Sequence, residues 1–309
     1  MATTNNLTTT YAGEFAGKYI SAALLSGKTL AEGNLTVVPN VKFKQVMKKV
    51  STNGIVKDAT CDFDPTSTLT LTERILQPEE FQVNLQLCKK DFRSDWEAVQ
   101  MGFSAFDNLP PSFSDFLIAH VADKVSQKME QNIWNGTNAN AGEFDGFKTT
   151  LLADGDVVDV AGQASTSSNV AAEIGKVADA IPSAVYGNED LVIYVPSNIH
   201  RNYIRSLGGF GANGLGAAGT NDQGNQWYNM GNALSFDGLE IVHAPGLASD
   251  TMIAAEKSNL FFGTGLMADQ NEVKVIDMAD IDGSQNVRVV MRFTAGIQHG
   301  IGSDIVLYS

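Results

Sequence analysis

The chain has 309 residues, of which 43% are hydrophobic and 18% charged, a balance that excludes both a disordered polymer and a continuous coiled coil. A chain of this length makes about two domains and removes ~75% of its unfolded surface from water, so it needs no staples. Its two cysteines, Cys61 and Cys88, are too few for a disulfide framework or a Cys-rich zinc site. Residues 1–100 carry equal numbers of basic and acidic side chains, so the net charge of −14 resides in residues 101–309, and so acidic a surface argues against a sequence-reading nucleic-acid binder. No apolar run approaches the ~18 residues that span a bilayer. The uncharged, polar start Met1–Thr10 lacks the basic and apolar regions of a secretory signal. The expectation is a soluble intracellular chain.

Residues 1–38 are rich in Thr, Ala and Gly, with scattered apolar positions at Tyr11, Phe15, Tyr19, Ile20 and Leu24. That is too little apolar surface for a core, so the segment reads as an arm that orders by lying on something else. Residues 41–50 partly alternate, Asn53-Gly54 marks a polar stretch, and Thr66–Thr72 alternates again, which predicts a long hairpin. A two-stranded hairpin is marginal in water and needs a neighbour to rest on. It is also polarised: Lys42, Lys44, Lys48, Lys49 and Lys57 precede Asp58, Asp62 and Asp64. Read from the residues alone, these charges form a solvated mixed-charge face.

Next comes the clearest helix, opening after Pro110-Pro111 with Ser112 as N-cap and closing at Gly136. Phe113, Leu117, Val121, Val125, Met129 and Ile133 recur every four residues, giving one apolar stripe along a rod of roughly 35 Å. A second helix is predicted from about Ser168 to Pro182, with Val170, Ile174, Val177 and Ile181 on one face. Leu191–Val195 is an unbroken apolar run of the buried-strand kind, and a short helix follows from Asn198 to Leu207. Residues 208–232 then hold eight glycines in 25 positions, a long loop of the functional or mobile type. Strands are predicted at Leu239–His243, Thr251–Ala255, Asn259–Phe262 and Glu272–Ile276, then over the alternating stretch Val287–Thr294 and at Ile305–Tyr308. The pattern is mixed α and β without a regular βαβ alternation, and no internal repeat is present.

Several tempting motifs fail on context. Gly209, Gly211 and Gly214 have G-x-G-x-x-G spacing, but a helix precedes them where dinucleotide binding needs a strand. The histidines His120, His200, His243 and His299 are far apart in sequence and lack ligand spacing. There is no nucleophile elbow and no Walker sequence, and neither cysteine carries a local catalytic signature. Trp96, Trp134 and Trp227 read as packing residues. No cofactor or metal is implied, and the motifs argue against an enzyme.

The order of elements is more informative than any motif. An arm, an extended hairpin, a long helix, a mixed α/β unit with a Gly-rich loop and a return in strands resemble the major capsid proteins of tailed bacteriophages, the Hong Kong 97-type fold. The resemblance covers essentially the whole chain and is carried by Ser112–Gly136 as the spine helix, by Phe144-Asp-Gly-Phe147, and by Leu191–Asn198. Leu239–Gly246 with Asn259–Gly263 resembles the closing strands, and Val287–Gly296 the last long strand. It implies an α+β fold: N-terminal arm 1–39, extended β-hairpin (E-loop) 40–92, peripheral domain with the spine helix 93–149, axial α/β domain 150–283, and closing strands 284–309.

The resemblance further implies subunits that self-assemble as pentamers and hexamers into an icosahedral shell, enclosing double-stranded DNA without sequence-specific binding. The lysines and aspartates of the hairpin would then pair between subunits, setting register more than affinity. Gly208, Gly211, Gly214, Gly219 and Gly224 would line the capsomer centre. Net negative charge would keep packed DNA from sticking to the wall. With Met1 opening the arm directly, a separate scaffolding protein is expected, together with a portal and a possible decoration protein. The expected location is the virion, after synthesis in the host bacterial cytoplasm. Some members cross-link a Lys to an Asn with help from a Glu; Lys57 lies near the hairpin tip, but no Asn and Glu match, so it reads as a solvated lysine. Two alternatives are an encapsulin-like nanocompartment, whose subunits usually begin with a cargo-holding helix rather than a Thr-rich arm, and a soluble α/β enzyme with its site in the Gly-rich loop.

Overall fold

The computed structural model describes residues 28–53, 55–56, 58–59, 61, 68–92, 111–207, 234–265 and 274–309. The expected arm up to residue 27, Lys57, Asp62 and Asp64, and the Gly-rich loop with Gly208, Gly211, Gly214, Gly219 and Gly224 lie outside them. The first part of the described chain runs α1 (Lys28–Ala31), β1 (Thr36–Val38), β2 (Gln45–Asn53), β3 (Thr68–Leu76), β4 (Glu79–Cys88) and α2 (Lys89–Phe92). The middle holds α3 (Pro111–Asn135), α4 (Phe147–Leu152), β5 (Val158–Val160), α5 (Val170–Ala180), β6 (Leu191–Val195) and α6 (Ser197–Leu207). The rest is β7 (Ser235–Phe236), β8 (Leu239–His243), β9 (Met252–Glu256), β10 (Leu260–Gly263), β11 (Lys274–Asp277), α7 (Ala279–Asp282), β12 (Asn286–His299) and β13 (Val306–Tyr308).

The four-residue apolar period of the long helix has the effect expected of it. Val121, Met129 and Ile133 of α3 are buried, and Trp134 at its end is wholly enclosed by Tyr194 and Phe147, with ring centroids at 4.9 and 5.6 Å. The helix rests on a five-stranded sheet of order β1-β10-β12-β11, with β4 also alongside β12. In β12 the side chains alternate: Val287, Val289, Met291 and Phe293 face the core, whereas Arg288 and Arg292 face out. This strand is longer than its alternation predicts, since it continues through the buried Ala295 and Ile297 to His299. Its ten-residue antiparallel register with β4 runs from Asn286 opposite Cys88 to Ala295 opposite Glu79.

A six-stranded sheet, β5-β13-β9-β6-β8-β7, forms the second layer. Its central strand β6 is buried on both faces, the physical reason for its unbroken apolar run. Leu191, Ile193 and Val195 pack against α5 and α6 through Val170, Ile174, Val177, Ile199 and Tyr203. Val192 and Tyr194 point the other way, into the core shared with Trp134, Phe147, Met291 and Leu307. One apolar core thus joins the long helix to both sheets, and among the described residues only the hairpin β2–β3 stands apart as a separate two-stranded sheet.

Candidate assembly surfaces

The β2–β3 register places Val46 opposite Ile75, Lys48 opposite Glu73, Val50 opposite Leu71 and Thr52 opposite Leu69. Successive strand residues point to opposite faces, so these eight side chains share one face. Its five aliphatic residues are 42–65% exposed. Phe43, Ile55 and Val56 add further apolar area near the two ends of β2, with Val56 91% exposed. Fully burying one such side chain stabilises by ~1.5–3 kcal/mol, so this face has several kcal/mol to gain from a partner. Long, flat, apolar strands left in water invite association.

The hairpin charges are distributed differently from the apolar residues. Lys42, Lys44, Lys48 and Asp58 are exposed and Lys49 is half-buried. Among the described residues, none of these lysines lies within ion-pair distance of Asp58; Lys44 instead holds its ammonium 5.3 Å from the Phe43 ring centroid. Lys42 and Lys44 precede β2 and Asp58 follows it, so the nine-residue strand keeps them apart. Only Lys48 stands opposite an acid, Glu73, which sequence reading did not single out.

The root of the arm is built into the core. Thr29 of α1 donates its backbone N–H to Glu130 Oε2 at 3.2 Å and its hydroxyl to Oε1. The Trp134 indole N–H lies 3.0 Å from the Thr29 hydroxyl oxygen and 3.2 Å from Glu130 Oε1. Glu130 is fully buried, and burial raises its carboxyl above the usual range although these donors act against it. Gly246 presses so close that a Cβ there would run into the Glu130 carbonyl oxygen. Tyr194 completes the anchor by donating to the Asn34 carbonyl at 2.6 Å. Thr29→Val deletes a hydroxyl that serves both Glu130 and Trp134, so it is expected to cost ~1–3 kcal/mol in urea unfolding.

Folding also brings together two histidines that are 43 positions apart in sequence. His200 of α6 and His243 at the end of β8 have ring centroids 4.8 Å apart, and His243 Nε2 lies 2.9 Å from Ser197 Oγ. Burial, then His200, Lys28 and Arg201, push His243 down to about 4. A base that weak is unprotonated at neutral pH but has little drive to take the serine proton, so this contact is no nucleophilic pair. The shift does carry a pH dependence. Because the folded pKa lies below the free value of about 6.5, the stability from a neutral His243 is complete above pH ~6.5 and is lost as pH falls towards 4. The melting temperature is expected to drop across that window, and His243→Gln to flatten part of the drop.

Among the described residues, no group of three His, Cys, Asp or Glu side chains is placed to hold a metal ion, and no helix is long and apolar enough to cross a membrane. Cys88 is half-buried in β4 and Cys61 exposed, both free. The Gly209–Gly214 motif lies outside the described residues.

A spine helix across a strand-rich peripheral layer, a projecting hairpin and a helix-covered six-stranded sheet define the Hong Kong 97-type capsid fold, mixed α and β as the element order implies. Solved structures agree along nearly the whole chain. The capsid chain of a native GTA particle superposes with a TM-score of 0.64 at 13% identity, covering 94% of this chain and 93% of its own. The capsid of Myoviridae phage XM1 matches with a TM-score of 0.59 at 12% identity over 95% and 94%, and a chain of Mycobacterium phage Che8 with 0.55 at 13% over 100% and 98%. No protein-family profile matches the sequence, and no curated protein matches it.

Proposed function

We propose that this chain is the major capsid protein of a tailed double-stranded DNA phage, assembling as pentamers and hexamers into an icosahedral shell around the genome. The observation that carries the reading is the hairpin: five exposed aliphatic side chains on one face of a ribbon with no partner among the described residues. On a fold shared end to end with capsid chains, the natural cover for that face is a second copy. The role is structural, and we assign no catalytic residue.

In this reading the arm 1–39 and hairpin 40–92 reach neighbouring subunits through residues 1–27 and 40–76, with Thr36–Val38 and Glu79–Cys88 held in the body's own sheet, while 93–149 and 284–309 form the peripheral wall and 150–283 points its Gly-rich loop to the capsomer centre. Lys42, Lys44, Lys48, Lys49 and Lys57 pair with Asp58, Asp62 and Asp64 of adjacent copies, because within the chain Lys42 and Lys44 are a strand's length from Asp58. A scaffolding protein and a portal assist assembly in the host cytoplasm, and the finished protein resides in the virion. The DNA is enclosed without being read, in keeping with the net charge of −14.

The test is to express the chain alone and with its genomic neighbours, size it by sedimentation and image the fast fraction by negative stain. Shells or capsomer rings support the reading. A stable monomer or dimer under both conditions overturns it.

A further inference from the structure

The base of the hairpin is tied to the body by a partly buried cluster of Arg74, Asp154 and His299. Arg74, near the end of β3, donates to Asp154 Oδ2 at 2.5 Å, and His299 Nε2, at the end of β12, meets the same oxygen at 2.7 Å. His299 is fully buried, whereas the Asp154 and Arg74 side chains keep 14% and 25% of their exposure. The other Asp154 oxygen accepts the Asp156 backbone N–H at 3.1 Å. Gly302 makes the space: a Cβ there would lie 2.5 Å from Asp154 Oδ2 and 3.3 Å from the Arg74 guanidinium. Two uncharged contacts flank the cluster. Leu76 is fully buried, and the Gln298 amide donates to the Ile75 carbonyl at 3.0 Å.

One carboxylate oxygen therefore serves two donors from separate segments, one on the hairpin and one on the body. The second ring nitrogen of His299, Nδ1, is buried without a hydrogen-bond partner. With Nε2–H directed at Asp154, a bare Nδ1 lone pair fits this place. A proton there would need an acceptor that the closed root does not offer, and would set a positive charge beside Arg74. An open root lets water reach Nδ1 and accept that proton. We infer that the hairpin root is a proton-coupled latch: Asp154 holds Arg74 and His299 together when closed, and protonation of His299 releases β3 from the body.

The charges around the cluster act in one direction. Burial pushes His299 below its ordinary range, Asp154 pulls it up, and Arg74 pushes it down again; no other charged side chain among the described residues acts on it. Burial works to raise the Asp154 carboxyl, but hydrogen bonds from His299, the Asp156 amide and Arg74 together leave it below the carboxylate range. Both groups thus bind protons less readily in the closed state, so the latch is fully closed above the free histidine pKa of about 6.5 and loosens as pH falls. The inference rests on this fold alone and stands whether or not the chain builds shells.

Hydrogen exchange read by mass spectrometry on the unassembled full chain, corrected for intrinsic rates, tests it between pH 7.5 and 5. Protection of amides 69–76 is expected to fall by up to about tenfold per pH unit below ~6.5, while β6 and β9 stay protected. His299→Gln keeps a ring-sized polar side chain without the proton and is expected to flatten that profile. Asp154→Asn is expected to lose hairpin protection already at pH 7.5. Wild-type hairpin protection that does not change with pH overturns the latch, as does a His299→Gln profile with the wild-type slope. If β6 and β9 show that His299→Gln is unfolded, Arg74→Met on the exposed side decides. Lost protection at pH 7.5 with a shallower slope supports the latch, and an unchanged profile overturns it.

Discussion

Leu71→Asp is expected to abolish assembly and leave the subunit folded. Leu71 is 65% exposed and sits opposite Val50 in the middle of the apolar hairpin face. In the free chain an aspartate there stays in water, so the melting temperature should change by no more than a degree or two. In an assembled contact the same carboxylate would be buried opposite Val50, with the nearest cation of that face, Lys48, already opposite Glu73, costing several kcal/mol at every copy of the contact. Leu71→Ala is the milder control, which loses only ~1–2 kcal/mol of burial per contact and should raise the critical concentration without preventing shells. Sedimentation profiles of the three proteins at matched concentration check both. Leu71→Asp shells of normal yield would remove the hairpin face from the list of assembly contacts.

Trp134→Ala acts on the opposite kind of residue. Trp134 is wholly buried where the end of α3 meets β6 and α4, and its indole N–H belongs to the Glu130–Thr29 network. Truncation leaves a cavity beside Tyr194 and Phe147 and removes one donor from a buried carboxylate. The first effect costs ~3–5 kcal/mol and the second ~1–3 kcal/mol. Against a typical domain stability of ~5–15 kcal/mol, the variant should be largely unfolded at 37 °C. Chemical denaturation at 10–20 °C, compared with Trp134→Phe, measures it; the phenylalanine variant should recover most of the packing and none of the hydrogen bond.

These two residues also differ in how openly the sequence declares them. A period of four over Val121, Val125, Met129 and Ile133 marks α3, and an unbroken apolar run marks β6, because burial along a helix stripe or inside a two-sided sheet leaves a local pattern. β4 carries an equally clean alternation in Phe81, Val83, Leu85 and Leu87. Reading along the chain assigns it to the adjacent hairpin, since pairing with β12 at the far end leaves no local mark. The apolar hairpin face is hidden for a related reason. Val46 and Val50 are separated by lysines, and only the register with Leu69, Leu71 and Ile75 assembles them into a patch. Arg74, Asp154 and His299 come from three distant segments, and nothing in the spacing of those residues predicts that one carboxylate oxygen would accept from both the guanidinium and the imidazole. The lysines and aspartates of the hairpin are conspicuous in sequence for the opposite reason: they are close along the chain, yet a strand holds Lys42 and Lys44 away from Asp58.

The ten-pair register between β12 and β4 has a mechanical consequence. The 14 residues of β12 extend over about 46 Å. A pull along that axis loads the hydrogen bonds to β4 in shear, all at once, whereas a pull across it would unzip them one pair at a time. The far end of the same strand is clamped between β10 and the core at Ala295 and Ile297, so tension entering at Asn286 is delivered to the middle of the molecule by covalent backbone. In the proposed shell, a wall stretched by pressure from within would carry its load along this strand, in the direction in which the subunit is hardest to tear.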